Sequence, residues 1–143
     1  MPCKVVRRSK LSRMHPFRRL KVWHKADALA IACHRASFHR PVGGSAPGFR
    51  SQFLRAIDSI VDNITEGAGQ APQRQFAKHL AIAIASANEA NGQLARGQAI
   101  GIFDRVEGRR LHEQLWEVLR MLNALYKAVK RRADEEDGDP TGD

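Results

Sequence analysis

Apolar residues return along this chain at steps of three and four, the repeat of a helix with one buried face. Val22, Ala26, Leu29, Ala30 and Cys33 form the first stripe, in a helix-favouring segment from about Leu20 to Arg40. Pro41, Gly43, Gly44, Pro47 and Gly48 break it. Phe49, Phe53, Ile57, Ile60 and Ile64 carry a second helix, predicted from Phe49 to Glu66. A third is predicted from Pro72 to Gln98. The fourth holds Leu111, Leu115, Val118, Leu122, Leu125 and Val129, at alternating steps of four and three, and ends near Arg132. That alternation is the seam of a helical bundle.

The punctuation agrees with the periods. Gly67 follows the last periodic residue of the second helix, where a left-handed cap needs no Cβ. Pro72 suits a first helical turn, because its missing N–H would have no intrahelical partner there. Gly101 closes the third helix, and Asp104 with Glu107 makes an N-cap and N3 pair for the fourth. The stretch "HLAIAIASANEANGQLA" is apolar or small on nearly every side from Leu80 to Ala87. Such a helix should be buried all round, which predicts a partner subunit over its outer face. No segment has the period of a strand. The expected fold is all-α, an antiparallel up-down-up-down four-helix bundle over residues 17–133. A basic arm, 1–16, and an acidic tail, 134–143, flank it and are expected to be disordered.

Charge adds the strongest compositional fact. The chain of 143 residues has 24 bases and 15 acids, a net +9. Asp134, Glu135, Glu136, Asp137, Asp139 and Asp143 stand in the last ten positions. Residues 1–133 alone therefore hold 24 bases against 9 acids, or +15. A basic body of this kind attracts polyanions, or serves only solubility. Two cysteines, Cys3 and Cys33, suggest neither a disulfide framework nor a metal quartet, which fits a reducing cytoplasm. The N-terminus lacks the apolar stretch of a signal peptide, and no run reaches the ~20 apolar residues of a membrane span.

Searches for chemistry return little. Gly67-Ala68-Gly69 follows no strand, and Pro72 stands where a dinucleotide fingerprint needs its third glycine. No Glu has His three residues later, as a di-iron bundle requires, and no two histidines share ligand spacing. Ser45 lacks a nucleophile elbow. Cys33 lies on an apolar stripe and reads as a core thiol. Asn63-Ile64-Thr65 is formally a sequon, but inside a helix. No catalytic residue, metal site or cofactor is expected, and the chain reads as a non-enzyme. Asn63, Glu66, Asn88 and Glu89 interrupt apolar helices, so they should meet hydrogen-bonding partners at helix ends, between helices or at a subunit interface. Trp23, Trp116 and Tyr126 could stack on bases, although anchoring a core or interface is their more usual role.

In an up-down bundle, the first and third helices start at the end where the second and fourth stop. That end collects Arg18, Arg19, Lys21, Lys25, Arg74, Lys78, Lys127, Lys130, Arg131 and Arg132, the expected nucleic-acid-binding set. Free N–H groups at the start of the third helix could also meet a phosphate beside Arg74 and Lys78. The opposite end is basic too, through Arg35, Arg40, Arg50, Arg55, Arg96, Arg105, Arg109 and Arg110.

Four segments carry a family resemblance: "FRRLKVWHKADALA", "RSQFLRAIDSIVDNITEGAGQ", "QFAKHLAIAIASANEANGQLARGQAIGIF" and "MLNALYKAV". Together they resemble the bacterial four-helix-bundle proteins encoded within intervening sequences of the large-subunit ribosomal RNA gene, which are related to the accessory variability determinants of diversity-generating retroelements. The resemblance implies a homopentamer, no catalytic residue, and, from the retroelement relatives, binding of nucleic acid and reverse transcriptase through a basic surface. Asn63, Glu66, Gly67 and Glu89 would then organise the turn between the second and third helices and its polar contacts. The chain departs from the family at Thr65, usually Ala, at Gln70, usually Arg, and at Ala71, usually a capping Ser. The expected function is an oligomeric bundle that binds structured RNA or an RNA–protein complex; the alternative is a protein-interaction scaffold.

Overall fold

A computed structural model describes residues 15–40, 46–70 and 72–138. A single 3-10 turn, Pro16–Arg19, leads into α1, Lys21–Arg35. Then come α2, Phe49–Ala68, α3, Gln73–Ala99, and α4, Arg105–Gly138. The described residues form helices and connections, with no strand among them. Each helix packs on two neighbours, in the cyclic order α1, α2, α3, α4, as in a four-helix bundle. Side chains show the alternating direction. The Trp23 indole N–H donates to Thr65 Oγ1 at 2.8 Å, joining the start of α1 to the end of α2. Arg74 pairs with Asp137, joining the start of α3 to the end of α4. The Ser37 backbone N–H, just past α1, donates to Glu107 Oε1 at the start of α4.

The four apolar stripes meet in one core. Leu29, Ile57, Ile60, Leu80, Leu115 and Leu122 are fully enclosed there. Burying such side chains contributes about 1.5–3 kcal/mol each. Phe38, Phe49, Phe53 and Phe103 close one end of the bundle, with ring centroids 5.1–6.2 Å apart. Gly97 makes room for them, since a Cβ there would lie 2.8 Å from both Phe49 and Phe103.

Three expectations need correction. Helix α1 stops at Arg35, not Arg40. Ala36 turns extended, which lets Phe38 swing into the aromatic end and the His39 N–H bond the Ile102 carbonyl at 2.8 Å. Those contacts outweigh one more helical turn. Gly67 lies inside α2 and is no left-handed cap; among described glycines only Gly48 and Gly101 have positive φ. Helix α4 continues through the acidic residues to Gly138. Ala133 is buried one turn past Val129, so the seam simply runs on. The remaining tail and the basic arm up to Met14 lie outside the described residues.

Capping at α4 combines two contacts. The Glu107 N–H donates to Asp104 Oδ1 at 2.8 Å, as the N-cap and N3 pair predicts. The Glu107 carboxylate does not reach back to its own cap but takes the Ser37 N–H instead. At the start of α3 no side chain caps the helix, consistent with Ala71 standing in place of Ser.

Candidate functional site

In the Asn-Ile-Thr-Glu-Gly segment of α2, Asn63 and Glu66 face α3, while Thr65 meets Trp23 of α1. Asn63 Nδ2 donates to the Ser59 carbonyl at 2.8 Å and lies 3.2 Å from Ser59 Oγ. Ser59 Oγ in turn lies 2.8 Å from Ser86 Oγ on α3. His79, also on α3, places Nδ1 3.3 Å from Asn63 Oδ1 and 3.7 Å from Glu66 Oε2. With its proton on Nδ1, His79 donates to Asn63 Oδ1, and Glu66 stands within ion-pair range. Gly67 is what allows this approach: a Cβ there would lie 2.7 Å from His79 Cβ and 2.9 Å from Phe76 Cδ2. His79, Ser59 and Ser86 were not singled out by sequence reasoning. The helical spacing of Ser59 and Asn63, four apart, was the available signal. Glu89 is not part of this seam. It is exposed, and among the described residues its carboxylate meets Gln93, one turn on, at 3.5 Å. The seam is a closed set of hydrogen bonds, and among the described residues no three His, Cys, Asp or Glu side chains could hold a metal.

Beside it, Asp58, Asp62 and Glu66 repeat every four residues along α2 and line a shallow groove of about 440 Å³. Asp58 holds His34 of α1, with Nε2 2.8 and 3.0 Å from its two oxygens. Partial burial, and then the charges of Asp58 and Glu66, push the Asp62 carboxyl up from its ordinary range.

The ten basic residues expected at one end fall into two groups. Arg18, Arg19, Lys21 and Lys25 belong to the 3-10 turn and the start of α1. The Arg18 guanidinium stacks over Phe17 and Trp23, 5.4 and 5.8 Å from the ring centroids. Lys25 pairs with Glu117 of α4 at 3.3 Å. The second group is on α3 and α4. Arg74, Lys78 and Lys130 line a groove of about 310 Å³ with Tyr126, Asp134 and Asp137. Lys130 lies 3.7 Å from Asp134, and Arg74 is held by Asp137. Lys127, Arg131 and Arg132 are exposed. The Lys25–Glu117 pair sets the register of Lys25 against α4. Lys127 to Arg132 lie ten to fifteen residues beyond Glu117, about 15–22 Å along the α4 axis. Acidic residues of α4 lie among the cations of the second group.

The aromatic candidates separate in the same way. Trp23 is half-buried and spends its N–H on Thr65, so it anchors α1 to α2. Tyr126 is half-buried. Trp116 is 54% exposed, so it does not anchor the core of the subunit. Cys33 is fully buried, and burial, helped by Asp58 and Glu107, pushes its thiol up to about 12. It is a core residue.

Residues 18–124 match a family model described as 23S rRNA-intervening sequence protein. The chain belongs to the 23S rRNA-intervening sequence protein family. At the level of sequence no curated protein is detectably similar to it. The family region takes in α1, α2, α3 and α4 as far as Ala124, so it contains the Asn63–His79 seam and Trp116. Lys127, Lys130, Arg131 and Arg132, with the acidic turns after them, stand beyond it. No described helix of this family member is long and apolar enough to cross a membrane.

Proposed function

We propose that this protein is a non-enzymatic, oligomeric helical bundle that binds nucleic acid, either structured RNA or an RNA–protein complex such as one with a reverse transcriptase, through its basic surface in the cytoplasm. The observation that carries this reading is uncompensated positive charge. Among the described residues, Arg105, Arg109, Arg120 and Lys127 are exposed and make no ion pair. Counterions gathered by a nucleic acid are released when such cations replace them. The family description, with its ribosomal RNA, points the same way.

The oligomer is supported by the outer face of α3. Ala81 and Ala85 are exposed there, and Ile82 is 49% exposed. A second subunit would cover this small, apolar surface, and the family resemblance suggests five copies. Five times +9 gives +45 for a pentamer. The reading is tested by isolating the protein from its own cells at low salt. RNA should accompany it and leave as salt rises; protein free of nucleic acid at low salt would contradict it.

A second reading, a protein-interaction scaffold, is favoured by the exposure of Ile31 and Val106. It expects a protein partner that stays bound at high salt, after nuclease treatment.

A further inference from the structure

We propose that one long face of α4, centred on Trp116, is a platform for unpaired bases of a nucleic acid strand, resting on the nucleic-acid reading above. Arg105, Arg109, His112, Trp116, Arg120 and Lys127 follow each other at steps of four, three, four, four and seven. Those steps keep to the 3.6-residue turn, so the six side chains share one stripe. All six are exposed. The stripe covers twenty-three residues, about 33 Å of helix. It is not the end of the bundle expected from sequence, and only Lys127 belongs to both.

Trp116 is the informative residue. An indole on the outside of a bundle costs hydration and stabilises nothing by itself. Here it has cations on both sides along the stripe: Arg109 about 10 Å before it and Arg120 about 6 Å after it. A strand whose phosphates met those arginines would bring its bases over the ring. Bases inside a duplex have their faces covered by neighbouring pairs, so Trp116 can stack only on an unpaired base in a loop, bulge or single strand. Beside the stripe, Arg105, Val106, Arg109, Arg110 and Glu113 line a shallow groove of about 270 Å³. Glu113 is the one acid in that lining.

A second copy of the chain fits this face less well. On another copy, the acids Asp58 to Glu66 of α2 span nine residues, about 12 Å, against the 33 Å of the stripe, and the acidic run Asp134 to Asp137 of α4 already meets Arg74 and Lys130. Of the α2 acids, Asp58 and Glu66 are already engaged with His34 and His79. Docking it would leave guanidinium groups buried and unpaired at considerable cost.

The test uses the full chain and three probes: an oligouridylate of about fifteen nucleotides, a perfect RNA duplex of equal length, and inorganic polyphosphate. Oligouridylate should quench tryptophan emission in the wild type and much less in W116F, where Trp23 gives the baseline. W116A should weaken oligouridylate binding about tenfold while leaving polyphosphate binding unchanged. R109E/R120E should weaken all three probes. If the wild type binds RNA but W116A binds oligouridylate as tightly, the platform is wrong and the basic-surface reading stands. If the wild type binds no RNA, both fall. If W116A instead changes the mass of the assembly, the face is a contact between copies and the platform is overturned.

Discussion

A methyl group at position 67 would sit 2.7 Å from His79 Cβ and 2.9 Å from the Phe76 ring, so α2 and α3 meet there with nothing to spare. In an open helix Gly→Ala stabilises by up to about 1 kcal/mol; here overpacking should reverse the sign. G67A should lose about 1–2 kcal/mol by denaturant unfolding, with no loss contradicting the tight crossing. The glycine was visible in the sequence, but its reason was not. Its place after the last apolar residue suggests a cap, whereas the need comes from a side chain twelve residues on. Cys33 was read correctly because a stripe position is a local property. With the thiol pushed up to about 12 from an ordinary 9.0, the unfolded chain loses its proton first. Stability is therefore unaffected below about pH 9 and falls by about 1.4 kcal/mol per pH unit between there and 12. The stability difference between wild type and C33A should narrow across that range. A difference that stays constant from pH 8 to 11 would contradict the buried neutral thiol.

The elements were legible wherever periodicity alone decides them, and less so where distant contacts intervene. Helix α1 gives up its last turn to the aromatic end, a bargain between Phe38 and residues on two other helices. Helix α4 gains one because Ala133 finds a partner surface. Its last turn, Asp134 to Asp137, places negative charge at the negative end of the helix dipole, so this turn is weak on its own. Arg74 and Lys130 hold it. D137N should speed amide exchange over residues 133–138 while leaving the melting temperature unchanged. Unchanged exchange would show that the ion pair with Arg74 does not hold the turn. At the other end of α4, D104A removes the acceptor of the Glu107 N–H and should cost about 1 kcal/mol, read as a lower melting temperature.

At the scale of the whole molecule, charge is sorted by face and not by helix. Asp58, Asp62 and Glu66 share one face of α2, and Arg105, Arg109, Arg120 and Trp116 share one face of α4. Composition could announce a basic protein but could not sort the charges, because which cations are paired depends on the register between helices. Lys25, Arg74 and Lys130, all in the expected binding set, turn out to be partnered. Arg109 and Arg120 are not, and Arg120 belonged to neither basic end. The outer face of α3 was anticipated more directly, since Ile82 and its small neighbours show in sequence as polarity that is missing. I82E should reduce the mass of the assembly measured by light scattering, and an unchanged mass would remove α3 from the interface. The claim on which the rest depends is that unpaired cations bind nucleic acid, and the most direct measurement is RNA affinity across a salt series. The logarithm of the affinity should fall linearly with the logarithm of salt, with a slope of about −3 or steeper if four or more phosphates are met. An affinity that stays flat from 50 to 200 mM salt, about the range where such contacts weaken most, would contradict it.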